Sequence, residues 1–88
     1  MATKVEFEND RVRVLRVRHE GREIHPLTSR HDRLIIYLND GHVARIENGK
    51  KKEIRRKAGE VVWRDPSQHQ IENLTGASHE VIVVELKH

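Results

Sequence analysis

The sequence predicts an all-β domain, a small barrel or jelly roll of about eight short antiparallel strands. Three observations carry this. The apolar residues are dominated by ten valines and seven isoleucines, side chains that suit a pleated, half-buried surface. They fall in runs of strand length separated by polar turns at regular spacing. No stretch shows the 3.6-residue apolar periodicity of an amphipathic helix.

Taken in order, "RVRVLRVR" at Arg11–Arg18 alternates basic and apolar side chains, as a half-buried strand does. The alternation slips at Val14-Leu15, where a β-bulge is expected. "EGRE" turns the chain at Gly21. "RLIIYL" at Arg33–Leu38 is a continuous apolar run, expected to be covered on both faces. "NDG" at Asn39–Gly41 makes a tight turn before the strand "HVARIE". Asn48-Gly49 within "ENGK" accepts the positive φ angles of a type I′ hairpin, and "KKEIRRK" returns from it. "AGEVVWRDP" supplies a turn, a short strand and a stop at Pro66. "HQIENL" and "EVIVVELK" are the last strands, joined by "TGAS".

With 88 residues and no break in composition, the chain is a single domain, 1–88, near the lower limit for burying a core alone. Apolar content is 35% and cysteine is absent, so disulfides, thiolate nucleophiles and cysteine zinc sites are excluded as support. Association with a second copy is the expected support. The strand at Glu80–Leu86 is apolar on both faces, and as a sheet edge it would need a partner to cover it. A homodimer follows as the expectation.

The first ten residues have no apolar core of the secretory kind, and no apolar run approaches the ~20 residues of a membrane span. The expected location is cytoplasmic, with no membrane partner. Net charge is +3 and the isoelectric point about 9.6. "KKKEIRRK" at Lys50–Lys57 could contact nucleic-acid phosphates. Acids are mixed through the chain, however, and only 3% of its residues are aromatic, too few to stack bases. A solvated hairpin is the better reading, and no nucleic-acid partner is expected. No nucleophile–base–acid arrangement is legible either. Ser67 lies two residues before His69 without an oriented third group.

From "NDRVRVL" to "VVELK" the strand order and turn residues resemble the cupin superfamily, in its small single-domain members. The family's second motif, G-x5-P-x-G-x2-H-x3-N, is matched by Gly59, "EVVWRDPSQ" and "HQIEN", with His69 and Asn73 in place. Ser67 stands where glycine is usual, and the loop length differs slightly. The first motif, G-x5-H-x-H-x3,4-E-x6-G, is matched as a frame from Gly21 to Gly41. Counting back from Gly41 puts the family's glutamate at Leu34 and its two histidines at Thr28 and Arg30. The resemblance implies a cupin barrel with a degraded metal-binding motif. Only His69 remains at a ligand position.

Leu34 donates nothing to a metal, and a guanidinium at Arg30 repels one. No metal and no cofactor are therefore expected. His25 and His31 could replace the missing ligands only if the loop at Pro26 breaks strand phase, since both are offset by three from Thr28. Arg30 either clamps a carboxylate or phosphate at the barrel mouth or pairs with a neighbouring acid at the rim. His69 either meets a ligand or is held by internal hydrogen bonds. Trp63 either stacks on a ligand or packs in a core or interface. Tyr37 is expected to face outward with Ile35, leaving Leu34, Ile36 and Leu38 as pocket walls. The expected ligand pocket is His69, Arg30, Thr28, Leu34 and Trp63, taking a small anionic molecule. The competing expectation is a metal-dependent enzyme of the dioxygenase or isomerase type, with a rewired histidine site.

Overall fold

In a computed structural model of the chain, residues 2–29 and 31–87 are described, apart from the side chains of His25, Leu27, Thr28 and Ser29. Nine strands are present among them, all paired antiparallel in two sheets. They are β1 (Ala2–Glu8), β2 (Val12–His19), β3 (Ile24–Ser29), β4 (Arg33–Tyr37), β5 (Gly41–Glu47), β6 (Lys50–Arg56), β7 (Val61–Arg64), β8 (Ser67–Asn73) and β9 (His79–Leu86). One sheet runs β1-β2-β9-β4-β7 and the other β3-β8-β5-β6.

Local chemistry accounts for the turns. Asn48 and Gly49 take φ of 52° and 76°, the double positive φ of a type I′ turn, and Glu47 pairs with Lys50 across it. The Asn9 side chain accepts from the amides of Arg11 at 2.8 Å and Val12 at 2.9 Å, turning β1 into β2. Asn39 ties two segments: its Nδ2 donates to the Ser78 carbonyl at 3.1 Å, and its Oδ1 accepts from the Glu80 amide at 2.9 Å.

Two expectations are corrected. β9 is not an edge. It bonds β2 over Val12–His19 and β4 over Arg33–Tyr37, which is why both of its faces are apolar. The open edges of that sheet are β1 and β7. The bulge lies across the ladder from the slip that signalled it. β2 pairs with β9 without a break, and the register shift falls between Val5 and Phe7 of β1, opposite Leu15 and Val14. Lys50, Lys51 and Lys52 of "KKKEIRRK" lie on β6, an edge of the second sheet, where charge discourages edge-to-edge pairing. Lys51 also pairs with Glu72 at 3.0 Å.

The core lies between the sheets and is small: Leu15, Val17, Tyr37 and Val81, with Ile35, Val62 and Val83 against it. One end of it is closed by a polar hub. Asn73 is fully buried. Its amide donates to the carbonyls of Glu20 at 3.1 Å and Ala77 at 2.8 Å. Its Oδ1 accepts from the Thr75 amide at 3.0 Å and the Thr75 hydroxyl at 2.9 Å. Asn73→Ala should cost about 2–4 kcal/mol in urea unfolding, because several buried partners lose their bonds together. Asn73→Asp should cost at least as much, since a carboxylate would face the Glu20 and Ala77 carbonyls. A loss below about 1 kcal/mol in both variants would show that the loops close without the hub.

Candidate functional site: a cationic pocket inside the barrel

A cavity of about 280 Å³ runs between the sheets. Its lining follows from strand phase. On β2, β4 and β9, cross-strand partners share a face, so Arg13, Glu85 and Arg33 form one inward row and Leu15, Val83 and Ile35 the next. Val17, Val81 and Tyr37 follow, and His19 lies opposite His79 at the far end. All of these line the cavity, which is joined from the other sheet by Val43, Arg45, His69 and Ile71. The result is an apolar tube with a cationic end.

At that end Arg33, Arg45 and Arg64 surround His69. Arg45 is 3.5 Å from Glu47, and Arg13 is 3.5 Å from Glu85. Among the described residues, neither Arg33 nor Arg64 has a carboxylate within ion-pair distance. Arg33 is 6% exposed. It donates to the Asp65 carbonyl at 3.1 Å and to Ser67 Oγ at 3.4 Å. Burial, and then the neighbouring Arg45, lower the pKa of both Arg33 and Arg64. A guanidinium still keeps its proton. His69 is pushed down to about 4, first by burial and then by Arg45 and Arg33, so at neutral pH its imidazole is uncharged. Ser67 Oγ lies 3.2 Å from His69 Nδ1.

The opposite end holds His19 and His79. His79 is 3% exposed, and Tyr37 stacks on it at 5.4 Å between ring centroids. Burial pushes the His79 pKa down. Gly41 lies hard against this ring, where a Cβ would come 2.4 Å from His79 Nε2. Any side chain at Gly41 would therefore displace the histidine.

Of the residues expected in the pocket, the structure places His69 there. Leu34 and Trp63 are not in the lining. They face each other across the β4–β7 ladder on the outer side of the sheet. Trp63 is 47% exposed, and its Nε1 donates to Asp65 Oδ1 at 3.2 Å. Arg30 and the Thr28 side chain lie outside the described residues, as does the side chain of His25. Tyr37 points inward rather than outward, and Leu38 is 40% exposed. The reason is a one-residue error in phase. A strand repeats every two residues, so counting back from Gly41 to Leu34 selects the wrong face of β4. Arg33 holds the inward position. Arg45 and Arg64 were missed as well. The available signal was a lone arginine in phase with the apolar inner positions of each strand.

A metal of the cupin kind needs several N and O donors converging on one point. Among the described residues, no group of three or more His, Asp or Glu side chains could hold one. The charges acting most strongly on His69 are the guanidinium groups of Arg45 and Arg33, which repel a cation. The described residues do not fit such a metal.

No protein-family profile matches the chain, and no curated protein matches it. Its fold is widely shared among solved structures. A cupin domain from Bordetella pertussis Tohama I superposes with a TM-score of 0.92 at 16% identity, over 99% of this chain and 93% of that one. The Cupin_2 domain of an XRE family transcriptional regulator from Enterobacter cloacae gives 0.73 at 10% identity, over 99% and 95%. A structure of Fe(II)-HppE with the alternative substrate (S)-1-HPP gives 0.67 at 14% identity, over 84% of this chain and 42% of that longer one. Two antiparallel sheets closed around a cavity, with these neighbours, establish that the chain has the cupin fold in its small, single-barrel form.

Proposed function

We propose that this barrel is a metal-free binding module for a small anionic molecule with an apolar body, acting as a homodimer. The observation that carries the reading is the pair of guanidinium groups, Arg33 and Arg64, at one end of a largely apolar cavity, with no carboxylate at ion-pair distance from either among the described residues. Burying unpaired charge costs stability, and a bound carboxylate or phosphate would offset that cost. The volume, about 280 Å³, is at the small end for ligand pockets and suits a metabolite rather than a peptide. Arg33, Arg45 and Arg64 take the anchoring role expected of Arg30.

Carboxylates and phosphates with apolar bodies should raise the melting temperature of the protein, while neutral sugars should not. Arg64→Leu is the cleaner variant, because Arg33 also holds the Asp65 carbonyl. Losing a charge-assisted bond costs roughly 1.5–3 kcal/mol, so anion affinity should fall about ten- to a hundredfold. An unchanged thermal response in both Arg33→Leu and Arg64→Leu would remove these residues from the site.

The alternative is a metal-dependent enzyme of the dioxygenase or isomerase type. It draws on the iron-bearing structural neighbour. The guanidinium groups around His69 weigh against it. Protein purified without chelator should hold well under one equivalent of Mn, Fe, Ni or Zn by plasma emission spectrometry. A full equivalent that His69→Ala abolishes would favour the enzyme.

The dimer reading rests on the outer face of the five-stranded sheet. Val14, Val84, Leu34 and Ile36 lie there half-buried, flanked by Phe7 at 54% exposure and Trp63 at 47%. A continuous apolar face of this kind marks an interface. Sedimentation at micromolar concentration should give twice the chain mass of 10.3 kDa. Phe7→Asp should shift the species to monomer without unfolding it. A wild type that is monomeric and cooperatively folded would show that this face needs no cover.

A further inference from the structure

Resting on the binding reading above, we infer that Ser67 is a positioning residue that locks His69 as a hydrogen-bond donor, so that Arg33, Arg64 and His69 together present donors to the cavity and select ionised, acceptor-only head groups, the Glu85 carboxylate of the same lining being held by Arg13.

The inference follows from counting donors and acceptors. Ser67 Oγ accepts from Arg33 Nη2 at 3.4 Å and lies 3.2 Å from His69 Nδ1. A hydroxyl carries one proton. If that proton goes to Nδ1, every group in the chain is used. Arg33 donates to Oγ, Oγ donates to Nδ1, and the imidazole proton resides on Nε2. In the opposite tautomer Nδ1–H would donate to Oγ. Ser67 would then accept twice, and its proton would have no acceptor among the described residues in a half-buried position. The first arrangement costs less, because it uses every donor, and a donor partly shielded from water and left unused is penalised. Arg33 is fixed by its second bond, to the Asp65 carbonyl at 3.1 Å, so the chain is held from outside the cavity.

The consequence is chemical selection. Guanidinium groups only donate, and His69 with its proton on Nε2 presents a donor as well. A carboxylate or sulfonate satisfies such an end with its lone pairs. A primary amide brings donors of its own, which would face these N–H groups. An alcohol supplies no charge. The walls beyond, at Leu15, Val17, Val43 and Val81, suit an alkyl or aryl body.

Benzoate and benzamide are suitable probes, of equal shape and opposite donor content. Nitrogen-15 chemical shifts of ligand-free protein at neutral pH should place the His69 proton on Nε2. In Ser67→Ala the His69 shifts should move toward a mixture of tautomers, and benzoate affinity by calorimetry should fall about tenfold. Ser67→Thr keeps the hydroxyl and should restore both. Benzoate should bind the wild type at least tenfold more tightly than benzamide, and Ser67→Ala should narrow that ratio. A wild-type proton on Nδ1, or shifts and affinity unmoved in Ser67→Ala, overturns the relay. If wild type shows the Nε2 proton yet binds no benzoate, the relay stands as a structural feature and selection by this end is overturned along with the binding reading.

Discussion

The register of β9 is the constraint on which the rest depends. It is hydrogen-bonded on both sides, with Val83 opposite Leu15 on β2 and opposite Ile35 on β4. Because strand side chains alternate, those two registers decide the facing of all three strands at once. They put Val81, Val83 and Glu85 inside with Val17, Leu15 and Arg13. They also send Ile82, Val84 and Leu86 out with Leu34 and Ile36. A shift of one residue in the β4–β9 ladder would place the Arg33 charge on the outer face and dismantle the pocket.

The pocket sets two demands against each other. Apolar walls strengthen any ion pair made inside by lowering the local dielectric. The same walls penalise unpaired charge, which is why burial lowers the pKa of Arg33, Arg64 and His69 alike. Arginine tolerates this because it cannot shed its proton under ordinary conditions, while histidine responds by becoming neutral. The cluster thus divides into fixed cations and one neutral imidazole. That division leaves the end unsuited to a cation.

At the other end, polar groups serve closure. Asn73 uses both ends of its amide to draw together Glu20, Thr75 and Ala77. Gly41 leaves room for the His79 ring, and Tyr37 covers it. The requirement at Gly41 is one of space between neighbours that are 38 residues apart in the chain. An asparagine and a glycine at motif positions therefore have physical reasons of their own, independent of any metal.

The fold was legible in the sequence because its signals are local. Valine and isoleucine content, alternation, and the Asn48-Gly49 turn each act over a few residues, and each is present in the folded chain. His69 was legible because its motif spacing lies within one stretch, and the slip at Val14-Leu15 marked a real irregularity, although the extra residue sits on β1. β1 escaped notice. It is exposed along its whole length and makes a strand only because β2 offers a free edge. Arg33, Arg45 and Arg64 were signalled only by their phase with the inward apolar positions, and that phase identifies a buried arginine only once the inner face of each strand is known. Their convergence on His69 required three strands from two sheets in fixed register. The sequence by itself determined that the chain pleats, where it turns, and how much apolar surface it has to hide. Only tertiary pairing decided which face is hidden, because strand phase belongs to the ladder between strands and not to the strand alone.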